Sequence, residues 1–261
     1  MDLKKYKRAF LFGCSFTCYK WPTWADIICH EVEATCYNYG HAAAGNQYIF
    51  SKIVEANITH SFNQDDLIMI MWSSIDREDR YIDSAWKLSG TVYNSLGNFY
   101  DDNYIKKYVD PRGFLIRDLT LITAASQMLK GLDYYFFSMV PLTYGTENFG
   151  YYDPENDVEE FFKDTLDKIK PSFFEAVFNN TWGEHGSILV KNHDGSTFED
   201  IHPTPKHHLQ YLNTVLPELQ ISQETVELVK SREEFIRSRE VFDVSKYPYF
   251  ARPYILPPKV L

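Results

Sequence analysis

The sequence predicts an α/β protein of three αβα layers, with a parallel sheet of about five strands between helices. Three observations point there. Arg8-Ala-Phe-Leu-Phe-Gly13 and Leu67-Ile-Met-Ile-Met-Trp72 are continuous apolar runs without the alternation of a half-solvated strand. Runs of this kind belong to strands buried on both faces, as in parallel sheets. Segments of helical periodicity follow them, and strand–helix alternation yields parallel pairing through right-handed crossovers.

Taken in order, the first strand runs into the turn Cys14-Ser-Phe-Thr17, and helical periodicity follows from about Trp21 to Val32, with Pro22 near its start where proline is tolerated. Residues Ala34 to Tyr39 fit a second strand, and the loop Gly40 to Asn46 leads into a helix from about Gln47 to His60. Asp65 and Asp66 mark the entry to the third strand. Residues 73–112 are rich in Tyr, Asp, Asn and Gly and read as a long insertion. Phe114 to Lys130 is a helix stopped at Gly131, a favourable residue just past a helix end. Leu132 to Val140 is a further strand ended by Pro141, 142–156 a loop, and Asp157 to Asn179 a helix interrupted at Pro171. Ser187 to Val190 is a short strand, and helices follow from Thr204 to Leu216 and from Gln223 to Arg239. The expected arrangement is flavodoxin-like, one domain over 1–221, with 222–261 as a helical extension and a Pro- and aromatic-rich tail packed on the same body.

Composition excludes some functions. The net charge is -10, and the only basic cluster is Lys4, Lys5, Lys7 and Arg8, so no face is suited to tracking phosphates and no nucleic-acid partner is expected. The apolar run after that cluster, Ala9 to Phe12, is too short for a signal peptide, and no stretch approaches a membrane span. A cytoplasmic protein without membrane contact is the expectation. Cys14, Cys18, Cys29 and Cys36 show no zinc spacing, so four reduced thiols, no metal and no organic cofactor are expected.

An open parallel sheet places its site at the carboxyl ends of the strands. Gly13-Cys14-Ser15 follows the first strand, Gly40 to Asn46 the second, and Ser73-Ser74-Ile75-Asp76-Arg77 the third. Glu199-Asp200-Ile201-His202-Pro203 lies near the end of the α/β region. A serine hydroxyl needs a base to become a nucleophile, and histidine is the side chain whose proton affinity suits that task near neutrality. An acid must hold the imidazole in the right tautomer. Glu199, three residues before His202, and Asp200, two before, are both placed to do so, aspartate being the usual residue type.

Gly13-Cys14-Ser15-Phe16-Thr17, Asn38-Tyr39-Gly40 through Gly45-Asn46, and the acid–His202–Pro203 block occur in the order found in the SGNH (GDSL-like) serine hydrolases. The chain resembles that superfamily over about residues 8–219. The resemblance implies a carboxylic ester hydrolase with Ser15 as nucleophile, His202 as base and Asp200 or Glu199 as acid. It implies an oxyanion hole from the backbone N–H groups of Ser15 and Gly45 with the Asn46 side chain, aided by the positive end of the helix after Ser15. One position departs: Ile75 stands where the family has a donating asparagine, and its side chain cannot donate. Ser73 or Ser74 could substitute.

Other readings stand beside this one. Ser15 alone would serve as a helix cap, and so would Asn46. Ser73 and Ser74 fit structural roles, and Arg77 fits a loop ion pair or a contact to an anionic substrate group. His41 faces the pocket or the surface, and His207 and His208 fit packing on a helix. The aromatic stretch Trp86 to Tyr104 is either a lid or sugar platform, or a surface loop held by its own rings. The expected substrate is a small ester or an acylated glycan, with O-acetyl groups on carbohydrate favoured. A catalytically silent glycan-binding or structural module, and an acyltransferase on the same fold, are the alternatives. An oligomer is compatible with the tail.

Overall fold

The computed structural model describes residues 1–93, 100–143, 158–181, 186–245 and 254–256. Its elements run β1 (Arg8–Phe12), α1 (Trp24–Glu31), β2 (Thr35–Asn38), α2 (Asn46–His60), β3 (Asp66–Trp72), β4 (Arg77–Ile82), β5 (Ala85–Thr91), α3 (Asp102–Tyr108), α4 (Pro111–Met128) and β6 (Asp133–Ser138). They continue with α5 (Val158–Phe161), α6 (Lys163–Leu166), α7 (Phe173–Phe178), β7 (Ile188–Lys191), β8 (Thr197–Asp200), α8 (Pro205–Val215), α9 (Gln223–Arg237), β9 (Phe242–Asp243) and β10 (Tyr254–Leu256).

The main sheet has the order β10-β2-β1-β3-β6. β2, β1, β3 and β6 are parallel, as the apolar runs predict, while β10 joins the β2 edge antiparallel. Every residue of β3 is buried, which is why its sequence shows no alternation. The fifth place is therefore filled from the tail and not by Ser187–Val190. That segment forms β7 of a separate three-stranded sheet, order β8-β7-β9. Tyr19 and Trp21 pack with Ile188, Val190, Ile236, Phe242 and Val244 in a second, smaller core beneath it.

Local chemistry sets the helix starts. α1 begins at Trp24 because Thr23 and Asp26 form a capping box, the Thr23 backbone N–H donating to Asp26 at 2.7 Å. α4 begins three residues before Phe114, since Asp110 caps it and Pro111 occupies the first turn. The stretch expected as one helix from Asp157 is broken into α5, α6 and α7, with Ile169 bridging to β6 at Phe136 between them. The insertion holds a hairpin, β4–β5, whose two-residue turn Asp83-Ser84 has φ of 53° and 61°. Such left-handed pairs match strand twist, but without Asn or Gly the turn leaves little trace in sequence. The tips at 94–99, most of the 142–156 loop and most of the tail lie outside the described residues. α9 packs against α1 and α8, and β10 pairs with β2. Among the described residues no helix is long and apolar enough to cross a membrane.

Candidate active site

The chain leaves β1 through Gly13, where a side chain has no room: a Cβ there would lie 2.1 Å from Thr17 Oγ1 and 2.9 Å from the Met71 carbonyl. Thr17 and Cys18 N–H groups donate back to the Cys14 carbonyl at 2.9 and 3.1 Å, closing a single turn around Ser15. The helix expected from about Trp21 starts at Trp24, after the cap at Thr23.

His202 Nε2 lies 3.0 Å from Ser15 Oγ, and His202 Nδ1 lies 2.7 Å from Asp200 Oδ1. The His202 backbone N–H donates to the same Oδ1 at 3.0 Å. Asp200 Oδ2 accepts from Tyr19 OH at 2.6 Å and from Lys20 Nζ at 3.2 Å. Burial on its own would raise the Asp200 carboxyl, but the hydrogen bond and charge of His202, followed by the Tyr19 hydroxyl, outweigh it and hold the group well below the usual carboxylate range. An ionised carboxylate only accepts, so Nδ1 carries the imidazole hydrogen and Nε2 is left to accept from Ser15. Of the two acids, Asp200 is the one hydrogen-bonded to His202. Asp200 closes β8 and is 2% exposed, whereas Glu199, opposite Leu189, is exposed. Among the described residues no hydrogen bond joins Glu199, the alternative acid expected from the sequence, to His202.

The opposite wall differs from its expectation. Gly45 N–H donates to Asp79 Oδ1 at 2.9 Å, and Tyr48 N–H donates to Asp79 Oδ2 at 2.9 Å. Asp79 thus caps α2 from another part of the chain, and the Gly45 N–H is not presented to a substrate. Glycine is required there because a Cβ would come within 2.8 Å of Arg77 Cβ and Asp79 Oδ2. Asn46 is also taken: Nδ2 donates to the Ser73 carbonyl at 3.1 Å and to Asp118 Oδ2 at 2.7 Å, while Oδ1 accepts from Ser73 N–H at 2.7 Å. Both amide hydrogens are bonded inside the protein, so the assignment of Gly45 and Asn46 to an oxyanion hole is corrected on the same physical ground.

Asp118 itself accepts from Arg117 Nε at 2.7 Å, and Arg117 Nη1 reaches Glu78 at 2.5 Å. Burial pushes Asp118 up to about 6, against the opposing pull of Arg117 and Asn46. Burial likewise raises Asp79, countered by the N–H groups of Tyr48 and Gly45. Asn46, Asp79, Asp118, Arg117 and Glu78 therefore form a buried polar floor under the loop at 40–46 and the segment at 73–79.

The remaining candidates separate. Ser73 is fully buried, and its hydroxyl has no partner among the described residues. Ser74 donates to Asp76. His41 Nδ1 lies 2.8 Å from the Ala42 carbonyl and its ring meets Tyr48 edge-on. Among the described residues Arg77 forms no ion pair: Nη1 donates to the Ala44 carbonyl at 2.9 Å and Nη2 lies 3.5 Å from Met139 Sδ. His207 helps cap α8 at Thr204, and His208 is buried against Phe16 and Phe173.

Sequence reasoning missed Tyr19 and Lys20. The Tyr19 ring stacks on His202 with centroids 3.9 Å apart and planes at 22°. Lys20 lies over the rings of Tyr19 and Phe198. Their only sequence signal is closeness to Ser15. Among the described residues no group of three or more His, Cys, Asp or Glu side chains could hold a metal ion.

No protein-family model and no curated protein matches the sequence. Among solved structures the chain is similar to a member of the lipolytic protein G-D-S-L family from Veillonella parvula, at 14% identity and a TM-score of 0.41, over 82% of this chain and 100% of that one. At that distance the chemistry has to be argued from the site itself.

Proposed function

We propose that this chain is a serine hydrolase of carboxylic esters. The observation that carries the reading is the relay Ser15 Oγ to His202 Nε2 at 3.0 Å and His202 Nδ1 to Asp200 at 2.7 Å. Serine, histidine and carboxylate in that geometry are what an acyl-transfer site requires.

In this mechanism Ser15 Oγ attacks the ester carbonyl carbon as its proton passes to His202 Nε2. The tetrahedral intermediate collapses, the C–O bond to the alcohol breaks, and His202 returns the proton to the leaving oxygen. Water then enters, loses a proton to His202, attacks the acyl-serine carbonyl and releases the acid while Ser15 regains its hydrogen. Asp200 stays ionised and stabilises the imidazolium formed at each half. Its four accepted bonds leave it well prepared for that role.

O-acetyl groups on carbohydrate are the substrate class we favour. Tyr100, Tyr104 and Tyr108 form a tilted ladder with centroids 4.6 and 5.3 Å apart, and aromatic rings of this kind offer apolar faces beside polar hydroxyls, which suits a sugar. The test has two parts. Ser15→Ala should remove p-nitrophenyl acetate hydrolysis and fluorophosphonate labelling at unchanged melting temperature; retained turnover would exclude Ser15 as the nucleophile. Acetate release from an O-acetylated polysaccharide, compared with short- and long-chain p-nitrophenyl esters, tests the substrate class, and preference for long acyl chains would sink it.

A further inference from the structure

Resting on the hydrolase reading, we infer that Arg77 is the side-chain donor to the substrate's carbonyl oxygen. An oxyanion formed at a carbonyl attacked by Ser15 needs preorganised donors. The donors expected from Gly45 and Asn46 are bonded to Asp79, Ser73 and Asp118, and Ile75 has none. Among the described residues the backbone N–H groups of Ser15 and Ala43 make no hydrogen bond, and Ala43 holds a φ of 67° in the loop beside the serine turn. These two are main-chain candidates, and the hole still lacks a side chain.

Arg77 fits that place by three features. Its guanidinium stretches between Ala44, on the loop after β2, and Met139, just past β6, and so lies across the carboxyl ends of the central strands. The same Met139 sulfur lies 3.7 Å from Cys14 Sγ, the residue immediately before Ser15. No carboxylate among the described residues forms an ion pair with Arg77, whereas Arg117 and Arg80 are both paired with Glu78. A thioether is a weak acceptor, so the Nη2 hydrogen bond to Met139 is readily exchanged for one to a developing alkoxide. The Ala44 carbonyl meanwhile fixes the other arm of the fork. As the Ser15–carbonyl bond forms, the carbonyl π pair moves onto oxygen and Arg77 donates a charge-assisted bond to it. No proton leaves the guanidinium, because arginine stays charged.

The experiment compares wild type, Ser15→Ala, Arg77→Met and Arg77→Ala on p-nitrophenyl acetate and on a hemisuccinate monoester. Arg77→Met should lower kcat about 100- to 1,000-fold on both substrates, with KM changed by less than about threefold. Unchanged kcat in a folded Arg77→Met protein overturns the inference while leaving Ser15 in place. A loss confined to KM for the hemisuccinate also overturns it, since Arg77 would then hold an anionic substrate group. Because Arg77 anchors Ala44, Arg77→Ala is assayed with added methylguanidinium. Restored kcat supports the donor role, and a lowered melting temperature without rescue counts against it. If wild type neither turns over these esters nor takes the fluorophosphonate, the hydrolase reading itself fails, and this inference with it.

Discussion

The two walls flanking Ser15 were built by different rules. On one, Asp200 and His202 are two residues apart, and the carboxylate reaches both the ring and the backbone N–H of the same histidine. On the other, Gly45 and Asn46 are claimed by Asp79, Ser73 and Asp118, which lie far away in the chain. A wall made by neighbours in sequence keeps its geometry wherever the chain places it. A wall made by distant partners depends on which acceptor reaches each N–H first, and here the acceptors are the buried carboxylates of Asp79 and Asp118 and the Ser73 carbonyl.

The sharpest way to break the contrast is at the acid. Asp200→Asn should lower kcat about 10,000-fold, because an amide can present its NH2 to Nδ1 and favour the wrong tautomer. Steady-state kinetics on p-nitrophenyl acetate measures this, and a loss below about tenfold would remove Asp200 from the relay. On the other wall, Asp118 predicts a pH effect. Its native value is raised above that of an unfolded carboxylate, so the stability it contributes is fully present below about pH 4 and lost as pH rises through about 6. The amount is on the order of 3 kcal/mol. Asp118→Asn should remove that limb, so its disadvantage against wild type shrinks as pH rises from 4 to 7. Urea denaturation across that range reads the slope, and parallel curves would contradict it.

Smaller effects sharpen the comparison. Tyr19→Phe keeps the ring on His202 but loses the 2.6 Å bond to Asp200. We expect kcat to fall about tenfold, KM to stay, and the pH profile of kcat/KM to shift, a change that mere loss of packing would not produce. An unaltered profile would reduce Tyr19 to a packing role. Glu199→Gln should leave kinetics and melting temperature within error, and any loss above about twofold would return Glu199 to consideration.

What could be read from sequence follows the same division. The central strands were legible because β1 and β3 bury both faces and so are uniformly apolar. The Ser15 and His202 motifs were legible because their spacing is local. Alternation along the strand at 197–200 lets only one of Glu199 and Asp200 face the histidine, but its four residues carry no apolar pattern that marks a strand in the sequence. The sequence shows Gly45 only as a residue of the loop, yet what requires a glycine is the approach of Arg77 and Asp79, 32 and 34 residues later. Tyr19 stacks on a residue 183 positions away, and no local pattern announces such a contact. The fifth place in the main sheet went to β10 because an antiparallel edge can be supplied by any returning segment, including a proline-rich tail.

Ser15 follows a strand of the five-stranded sheet, whereas Asp200 ends a strand of the three-stranded one. The two sheets share no strand. They are tied at the segment after Ser15, where Tyr19 holds Asp200 and Trp21 Nε1 donates to the Pro203 carbonyl at 2.7 Å. The serine–histidine contact is therefore a seam between two separately laid fabrics, and Tyr19 and Trp21 are its stitches. A slip of the small sheet along the large one would open that seam without emptying either core, so turnover by the proposed hydrolase would gauge alignment between the sheets as much as the chemistry at the serine.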